Sequence, residues 1–207
     1  MALFFQIHAD NPQHRLIRQV VDVVEKGGVI VYPTDSGYAL GCSLGEKQAL
    51  ERIRRIRHLD EKHHFTLVCR DLSEISTYAK VDNANYRLLK TYTPGPYTFI
   101  LKGTKEVPNR LLQAKRKTVG FRAPDNRIAR AILAELDAPL MSVSLILPGD
   151  DMPLIDPYEM KDRLDAQVDL IIDGGYAGME PTSVIDISED TPILIRKGLG
   201  DISAFIE

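Results

Sequence analysis

Hydroxyl and guanidinium side chains occur where the apolar, strand-like segments of this 207-residue chain begin or end. Ser142 and Ser144 are two residues apart in one such segment, so on a strand both side chains point to the same face. Arginine suits an anionic ligand because its planar guanidinium donates two parallel hydrogen bonds to a phosphate or carboxylate. The alternative is that each arginine is an ordinary exposed residue. The pattern predicts that one anion-binding cavity is formed by Thr34, Arg122, Ser142, Ser144, Ser183 and Arg196.

The segment 27–41, GGVIVYPTDSGYALG, is the one around which this cavity is expected to form. Its apolar run predicts a strand buried on both faces, and the strand ends at Pro33 because proline has no amide proton for pairing. Thr34, Asp35 and Ser36 follow at the carboxyl end of that strand, where open α/β sheets bind ligands. An ordinary turn between two strands is the alternative interpretation.

Common nucleotide and metal motifs are absent from the sequence. There is no G-x-x-x-x-G-K-[ST] loop and no G-x-G-x-x-G fingerprint, which excludes a P-loop enzyme and a classical dinucleotide site. His63 and His64 are adjacent in a polar segment, 58–64, that is predicted to be a loop. No cysteine and histidine spacing indicates zinc, so we expect no metal site.

Charged residues are distributed unevenly along the chain, although the net charge is only −3. Acidic residues dominate beyond residue 135. Separated charge of this kind can focus an electric field on an anionic ligand. The alternative interpretation is that the charged segments are ordinary solvent-exposed faces. The basic residues are concentrated in two segments, one with Arg52, Arg54, Arg55, Arg57, Lys62 and Arg70, the other with Lys102, Lys105, Arg110, Lys115, Arg116, Lys117 and Arg122.

No sequence feature indicates a membrane or secreted protein. No apolar run reaches the ~20 residues that a bilayer span needs. The N-terminus lacks the basic and then apolar pattern of a signal peptide. Cys42 and Cys69 lie far apart in apolar segments, which suits two buried, reduced thiols better than a disulfide. We therefore expect a cytoplasmic protein.

The alternation of strand and helix patterns predicts a single α/β domain over residues 1–207. Short spacings between several strands predict a sheet with both parallel and antiparallel pairs. Pro12 is expected to open the first helix, with Asp10 or Asn11 as its N-cap. A later apolar segment, 140–147, is expected to form one continuous strand.

Six ordered motifs extend over nearly the whole chain: GGVIVYPTD (27–35), YTPGPYTF (92–99), VGFRAP (119–124), PLMSVS (139–144), PTSVID (181–186) and IRKG (195–198). Together they resemble the YrdC-like proteins, also called threonylcarbamoyl-AMP synthases, and most of all their YciO branch. The resemblance implies an α/β fold of the YrdC/RibB-like kind. That fold is a twisted mixed sheet with helices and a concave, basic surface.

The resemblance also implies a reaction. Family enzymes join L-threonine, bicarbonate or CO₂, and ATP to give threonylcarbamoyl-AMP and pyrophosphate, for the t6A modification at position 37 of tRNA. By position, the threonine-binding residues would be Thr34, Arg122, Ser142 and Ser183. The nucleotide-binding residues would be Arg57, Thr118, Ser144 and Arg196, of which Arg57 and Ser144 would be catalytic. Mg²⁺ would arrive with ATP, since Mg²⁺ often binds with few protein ligands.

The chain departs from the synthases at two of their motifs. The family's Lys-x-Arg reads Arg-His-Leu at 57–59, and its Ser-x-Asn reads Ser-Leu-Ile at 144–146. Leu59 and Ile146 cannot form a hydrogen bond to a phosphate. Loss of one such contact costs on the order of a hundredfold in rate. We therefore expect weak or altered synthase activity.

Two other functions stay open at this point. The basic segments and the concave basic surface of the family suit a protein that binds double-stranded RNA or tRNA without synthase activity, and such binding weakens steeply with salt. A ligase that acts on another amine or acid is the other alternative. Because the altered residues belong to the nucleotide side, changed nucleotide handling is favoured over a changed amino acid.

Overall fold

The structure is a computed structural model, and it describes residues 1–60 and 63–206. Within these ranges ten strands form one sheet and six helices pack around it, none of them long and apolar enough to span a lipid bilayer. In chain order the elements are β1 (Leu3–Gln6), α1 (His14–Glu25), β2 (Ile30–Pro33), β3 (Tyr38–Ser43), α2 (Lys47–Arg57), β4 (Thr66–Val68), α3 (Leu72–Tyr78), α4 (Asn83–Tyr92), β5 (Tyr97–Lys102), β6 (Thr118–Arg122), α5 (Arg127–Leu136), β7 (Leu140–Ser144), α6 (Pro157–Leu164), β8 (Leu170–Asp173), β9 (Ser183–Asp186) and β10 (Ile193–Arg196).

The strands lie in the order β1-β8-β2-β3-β7-β4-β6-β5-β9-β10. Strand β8 is parallel to both β1 and β2, β4 is parallel to β6, and β5 is parallel to β9. The pairs β2–β3, β3–β7, β4–β7, β5–β6 and β9–β10 are antiparallel. The predicted single-domain α/β fold with a mixed sheet is therefore confirmed.

Alternating side chains of the central strands fill two separate cores, one on each face of the sheet. From β2, Val31 packs into the core that contains α2 and α6, whereas Ile30 and Tyr32 pack into the core that contains α1 and α5. All three side chains are fully buried. The uninterrupted apolar run of this strand follows from the need to fill both cores.

The face that carries α1 and α5 is covered by helices over only part of its width. These two helices contact β2 and its neighbours. Farther along, the same face carries a row of paired small residues: Gly41, Ser142, Thr66 and Gly120. A side chain at Gly120 would crowd its neighbours, because an added Cβ would lie 3.1 Å from Cγ2 of Thr98. The small residues leave open space above β7, β4, β6 and β5.

The first helix begins later than the sequence predicted. Helix α1 begins directly after its N-cap Gln13, which makes no side-chain capping bond, and not at Pro12. Asp10 and Asn11 do not cap it, because their backbone amides donate to Nδ1 of His8 and fold this segment into a loop. The predicted cap and start are therefore wrong.

The strand predicted over 140–147 is also shorter than expected. The last ladder pair between β7 and β3 is Ser144 with Ala39. The amide of Leu145 still donates to the carbonyl of Tyr38 at 2.9 Å, and the chain then turns, with the amide of Ile146 donating to Ser144. This turn brings Ile146 to the open space above the sheet.

The loop predicted for 58–64 contains two residues, Glu61 and Lys62, that lie outside the described part of the chain. His58 ends α2 in the left-handed conformation, with φ of 52°. His63 and His64 belong to no helix or strand. The described residues of this segment therefore agree with the predicted loop.

The two cysteines are buried and unbonded, as the sequence predicted. Burial raises the pKa of Cys42 to about 12. Burial also raises the pKa of Cys69 well above its usual value. Both groups are therefore protonated thiols at neutral pH and act as apolar filling of the core.

We expect Ile132→Ala to lower the free energy of unfolding by about 2–5 kcal/mol. Ile132 lies on α5 and is fully buried, so its removal leaves a cavity in the core beneath that helix. Ile193→Ala is the matched control, because Ile193 is 53% exposed on the outermost strand and its loss should cost less than about 0.5 kcal/mol. Urea denaturation of both variants measures the difference. Equal losses would contradict this placement of α5.

Candidate active site

A cavity of about 960 Å³ lies over the uncovered part of the sheet. Its floor consists of small side chains from β7, β4, β6 and β5, and its walls come from the loops that follow β2 and β7 and precede β9. This volume is sufficient for a ligand of nucleotide size. The structure brings six of the predicted site residues to this one cavity: Thr34, Arg57, Arg122, Ser142, Ser144 and Arg196.

Ser183 and Thr118 are the two predicted site residues that do not line the cavity. Ser183 is fully buried on the other face of β9, where its hydroxyl donates to the carbonyl of Gly200 at 2.6 Å. Because successive side chains of a strand alternate between faces, Thr182 faces the cavity instead. Thr118 begins β6, at the end opposite Arg122. The expected convergence on one cavity is therefore wrong for Ser183, and Thr118, which the resemblance placed at the nucleotide, lies away from this cavity.

Arg122 is held at the cavity by a nearly buried ion pair. Its Nη2 donates to Oδ1 of Asp35, and the two side chains are only 9% and 10% exposed. The second oxygen of Asp35 accepts a hydrogen bond from the backbone amide of Asp125 at 2.9 Å. The sequence placed Asp35 at the carboxyl end of β2, beside Thr34, but Asp35 was not among the predicted site residues. Asp35 does not itself line the cavity.

Arg57 and Arg196 are held by backbone carbonyls and not by carboxylates. Nη1 of Arg57 donates to the carbonyl of Ser144. Nε and Nη2 of Arg196 donate to the carbonyl of Thr182 at 3.2 and 3.0 Å. Burial lowers the pKa of Arg57, and burial followed by the charge of Arg122 lowers the pKa of Arg196. Guanidinium groups stay protonated at pH 7, so both arginines place positive charge in the cavity without a carboxylate partner among the described residues.

Other ionisable groups line the same cavity. Asp151 and Glu180 contribute carboxylates, and neither forms an ion pair within residues 1–60 and 63–206. Burial lowers the pKa of His63, and the nearby charge of Arg57 lowers it further, so its ring is neutral at pH 7. In the part of the chain that the structure describes, no three His, Cys, Asp or Glu side chains are grouped closely enough to hold a metal ion.

The hydroxyl of Thr34 builds the turn between β2 and β3. Its Oγ1 donates to the carbonyl of Gly37 at 2.6 Å and accepts from the amide of Ser36 at 3.2 Å. Gly37 has φ of 134°, a region that favours glycine. Because Thr34 is only 2% exposed, its side chain shapes the cavity wall more than it offers a free donor. Ser36 lines the cavity beside it.

Ser142 can offer a ligand an acceptor but not a proton. Its hydroxyl donates to the carbonyl of Leu40 at 3.0 Å and lies 2.7 Å from the hydroxyl of Tyr32. Burial raises the pKa of Tyr32 to about 12, so this phenol is protonated and donates to Ser142. With its one proton used, Ser142 has a single remaining lone pair. This arrangement fits an N–H or O–H group of a ligand.

The two departures from the synthase motifs have different structural consequences. Ile146 lines the cavity close to Ser144, whose hydroxyl makes no hydrogen bond within the described part of the chain. Leu59 instead packs against the hydrophobic core and does not line the cavity. Only Ile146 therefore changes the cavity wall directly.

A G-x-S-x-G pattern at residues 41–45 does not form a nucleophile elbow. An elbow serine lies on a sharp, strained turn from strand to helix. Ser43 is the last residue of β3 and has no positive φ, and it does not line the cavity. The pattern therefore has no catalytic meaning in this fold.

Four residues of the two basic segments form ion pairs with acidic residues from distant parts of the chain. The separation of charge along the sequence is thus reduced on folding, and the arginines of the cavity retain most of the positive charge that a ligand meets. Lys62 of the first segment lies outside the described residues. The pairs between early basic and late acidic residues are Arg52–Asp169, Arg70–Asp137, Lys102–Glu189 and Arg116–Asp186.

Comparison with known proteins assigns the chain to a family. The Sua5/YciO/YrdC family model, described as "Telomere recombination", matches residues 22–198. The chain belongs to this family. Escherichia coli K12 YciO is 63% identical over 206 residues, with both chains covered completely. The crystal structure of E. coli YciO matches this structure with a TM-score of 0.95 over 100% of both chains.

Two further relatives of this family member have more specific names. The threonylcarbamoyl-AMP synthase of Vibrio vulnificus YJ016 is 26% identical over 187 residues, which cover 88% of this chain and 98% of the relative. The Pyrococcus abyssi Sua5 structure with L-threonine bound has a TM-score of 0.86 at 22% identity, over 95% of this chain and 58% of that one. The chain is thus distantly homologous to a threonylcarbamoyl-AMP synthase, and Sua5 shares its fold.

We expect Tyr32→Phe to reduce the loss of stability at high pH. A folded-state pKa of about 12, against 10.0 for a free tyrosine, means that the folded protein favours the neutral phenol. This contribution is complete below about pH 10 and is lost as the pH rises toward 12; its full size is about 2–3 kcal/mol. Unfolding free energies measured in urea between about pH 8 and 12 test it.

The matched control for this experiment is Tyr86→Phe, which removes a phenol from an exposed position on α4. It should retain the wild-type decline of stability with pH. If the unfolding free energy of Tyr32→Phe falls with pH as steeply as that of the wild type, the buried phenol does not contribute to the pH dependence of stability.

Proposed function

We propose that this chain binds ATP, L-threonine and bicarbonate in its cavity and converts them slowly to threonylcarbamoyl-AMP and pyrophosphate, for t6A37 formation in tRNA. The observation that carries this proposal is the pair of guanidinium groups on Arg57 and Arg196, which donate to backbone carbonyls and have no carboxylate partner among the described residues. Arg57 is half-buried and Arg196 is exposed, and a guanidinium without a carboxylate partner forms strong, charge-assisted hydrogen bonds when an anion binds to it. The phosphates of ATP supply such an anion.

The threonine half of the proposal is supported by a structural relative. P. abyssi Sua5 binds L-threonine in a fold of the same kind. In this chain we assign Arg122 to the carboxylate of the amino acid, because arginine pairs well with carboxylates. Ser142 has one free lone pair and would accept a hydrogen bond from the amino or hydroxyl group of threonine. Thr34 would form the adjoining wall.

Catalysis in this proposal is mainly positioning and stabilisation of charge. The amino group of threonine attacks CO₂, formed from bicarbonate, to give a carbamate and release a proton. A carbamate oxygen then attacks the α-phosphorus of ATP, and pyrophosphate leaves. Arg57, Arg196 and the free hydroxyl of Ser144 would stabilise the phosphate charge. Mg²⁺ would enter bound to ATP as part of the substrate.

The rate is proposed to be low because of the cavity wall beside Ser144. Ile146 places an apolar side chain where the synthase motif has an asparagine. Leu59 replaces the family arginine and packs against the core, so no guanidinium reaches the cavity from that position. Each missing polar contact to a reacting phosphate lowers the rate by about 10²–10³.

Binding of double-stranded RNA or tRNA without synthase activity is the less favoured function. Tight RNA binding needs a row of unpaired cations that contact phosphates. Here Arg52, Lys102 and Arg116 each have a carboxylate partner. This leaves fewer unpaired cations for such a row in the described part of the chain, among them Lys105, Lys115 and Lys117. A cytoplasmic location agrees with the proposed role in tRNA modification and stays a prediction.

We expect Arg196→Gln to weaken ATP binding by about 10–100-fold, because a charged hydrogen bond contributes about 1.5–3 kcal/mol. Calorimetry with ATP measures the affinity, and release of pyrophosphate in the presence of L-threonine and bicarbonate measures turnover. Lys197→Gln is the matched control, since it removes the next cation along the chain, which does not line the cavity. Equal affinities for both variants, or no adenylate product from the wild type at high enzyme concentration, would refute the proposed function.

We expect Ile146→Asn to raise the rate of threonylcarbamoyl-AMP formation by about tenfold or more, because it restores an amide donor beside Ser144. Ile100→Asn is the control, since Ile100 also lines the cavity but lies on a different strand, β5. Single-turnover formation of labelled adenylate measures both. A rate that is unchanged by Ile146→Asn, in a protein that still binds ATP, would contradict the assigned cause of slow turnover.

A further inference from the structure

Asp35 occupies a position that makes it more than an ordinary partner in an ion pair. It lies in the turn after β2, whereas Arg122 ends β6, so the pair joins two strands that are not neighbours in the sheet. Arg122 lines the cavity and Asp35 does not. The carboxylate therefore contacts the guanidinium without occupying the space that a ligand would fill.

Two donors converge on the two oxygens of this carboxylate. Nη2 of Arg122 donates to Oδ1, and the backbone amide of Asp125 donates to Oδ2 at 2.9 Å. The second bond fixes the rotation of the carboxylate relative to the backbone after β6. The carboxylate is thus held in one orientation from both sides.

The backbone of Arg122 is held equally firmly. Its carbonyl accepts a hydrogen bond from the amide of Cys69 at 2.8 Å, and the next carbonyl, that of Ala123, accepts from the amide of Gly95 at 2.9 Å. With the backbone fixed by neighbouring segments and Nη2 fixed by Asp35, the guanidinium plane has little freedom to rotate.

A buried donor of Arg122 stays unused in this arrangement. Its Nε is buried and makes no hydrogen bond within the described residues. A buried N–H without an acceptor is costly, and such groups in native proteins are usually explained by a function or a ligand. Because Arg122 lines the cavity, a carboxylate of a bound molecule is a suitable acceptor.

The geometry points to Asp35 as a positioning residue: it fixes the guanidinium of Arg122 so that the unpaired donors meet the carboxylate of an amino acid and make the cavity selective for amino acids with a free carboxylate. This inference rests on the proposed function, because it takes the ligand to be L-threonine. It adds Asp35, a residue that touches no substrate, and it names the carboxylate of the amino acid as the group that the cavity selects.

The test is the variant Asp35→Asn, which keeps the shape of the side chain. An amide has one carbonyl oxygen and one NH₂ group, so it can accept from only one of the two donors that converge on Asp35. Calorimetry compares binding of L-threonine with binding of L-threonine amide, which lacks the carboxylate. We expect the variant to bind L-threonine about tenfold or more weakly. Its affinity for the amide should change by less than about twofold.

Asp186→Asn is the matched control for loss of an ion pair. Asp186 is a nearly buried carboxylate that pairs with Arg116 and does not line the cavity. This variant should lose stability yet bind both ligands as the wild type does. If Asp35→Asn weakens the binding of L-threonine and of L-threonine amide equally, or weakens the binding of neither, Asp35 has only a structural role and the inference is wrong.

Nuclear magnetic resonance of ¹⁵N-labelled arginine side chains separates this inference from the proposed function. In the wild type without ligand, the Nε–H of Arg122 should give a sharp signal of restricted motion, and in Asp35→Asn the signal should broaden or shift. A wild type that binds no L-threonine refutes the proposed function and the selectivity. An unchanged Arg122 signal in the variant refutes the positioning role by itself.

Discussion

The structure depends on one constraint: successive side chains of a strand point to opposite faces of the sheet. The size of the side chains on each face of this mixed sheet therefore decides whether the space there is filled or left open. On one face α1 and α5 cover β2 and its neighbours. On the remainder of that face Ser142, Thr66 and Gly120 are too small to fill the space. The cavity therefore results from small residues placed in register across three strands, and not from an added domain or lid.

The cavity is chemically specific because its three arginines are held in two different ways. Arg122 is locked by a carboxylate, so its charge is locally balanced and its direction is fixed. Arg57 and Arg196 are held by neutral carbonyls, so their charge is available to a ligand. A rigid, paired arginine suits recognition of one small group, and unpaired arginines suit the larger charge of a polyphosphate. This division agrees with an amino-acid end and a nucleotide end of one cavity.

Much of the architecture was predictable where a segment's own pattern decides its structure. Strand β2 is buried on both faces and ends at Pro33, as its apolar run and its proline predict. The errors arose where a hydrogen bond outside the regular pattern decides where an element begins or ends. Strand β7 stops early because the chain turns after Leu145, where the amide of Ile146 donates to the carbonyl of Ser144. Helix α1 starts late because the ring of His8 binds the amides before it.

By itself, the sequence determined the family, the mixed α/β sheet and six residues of one cavity, because ordered motifs, apolar runs and strand ends are local properties. Only the tertiary structure decided that Thr182 replaces Ser183 at the cavity, that Asp35 stands behind Arg122, and that the early basic segments meet the late acidic ones. The physical reason is that the face of a side chain and the partner of a charge depend on register and packing between strands far apart in the chain. Neither quantity is present in the local pattern of residues.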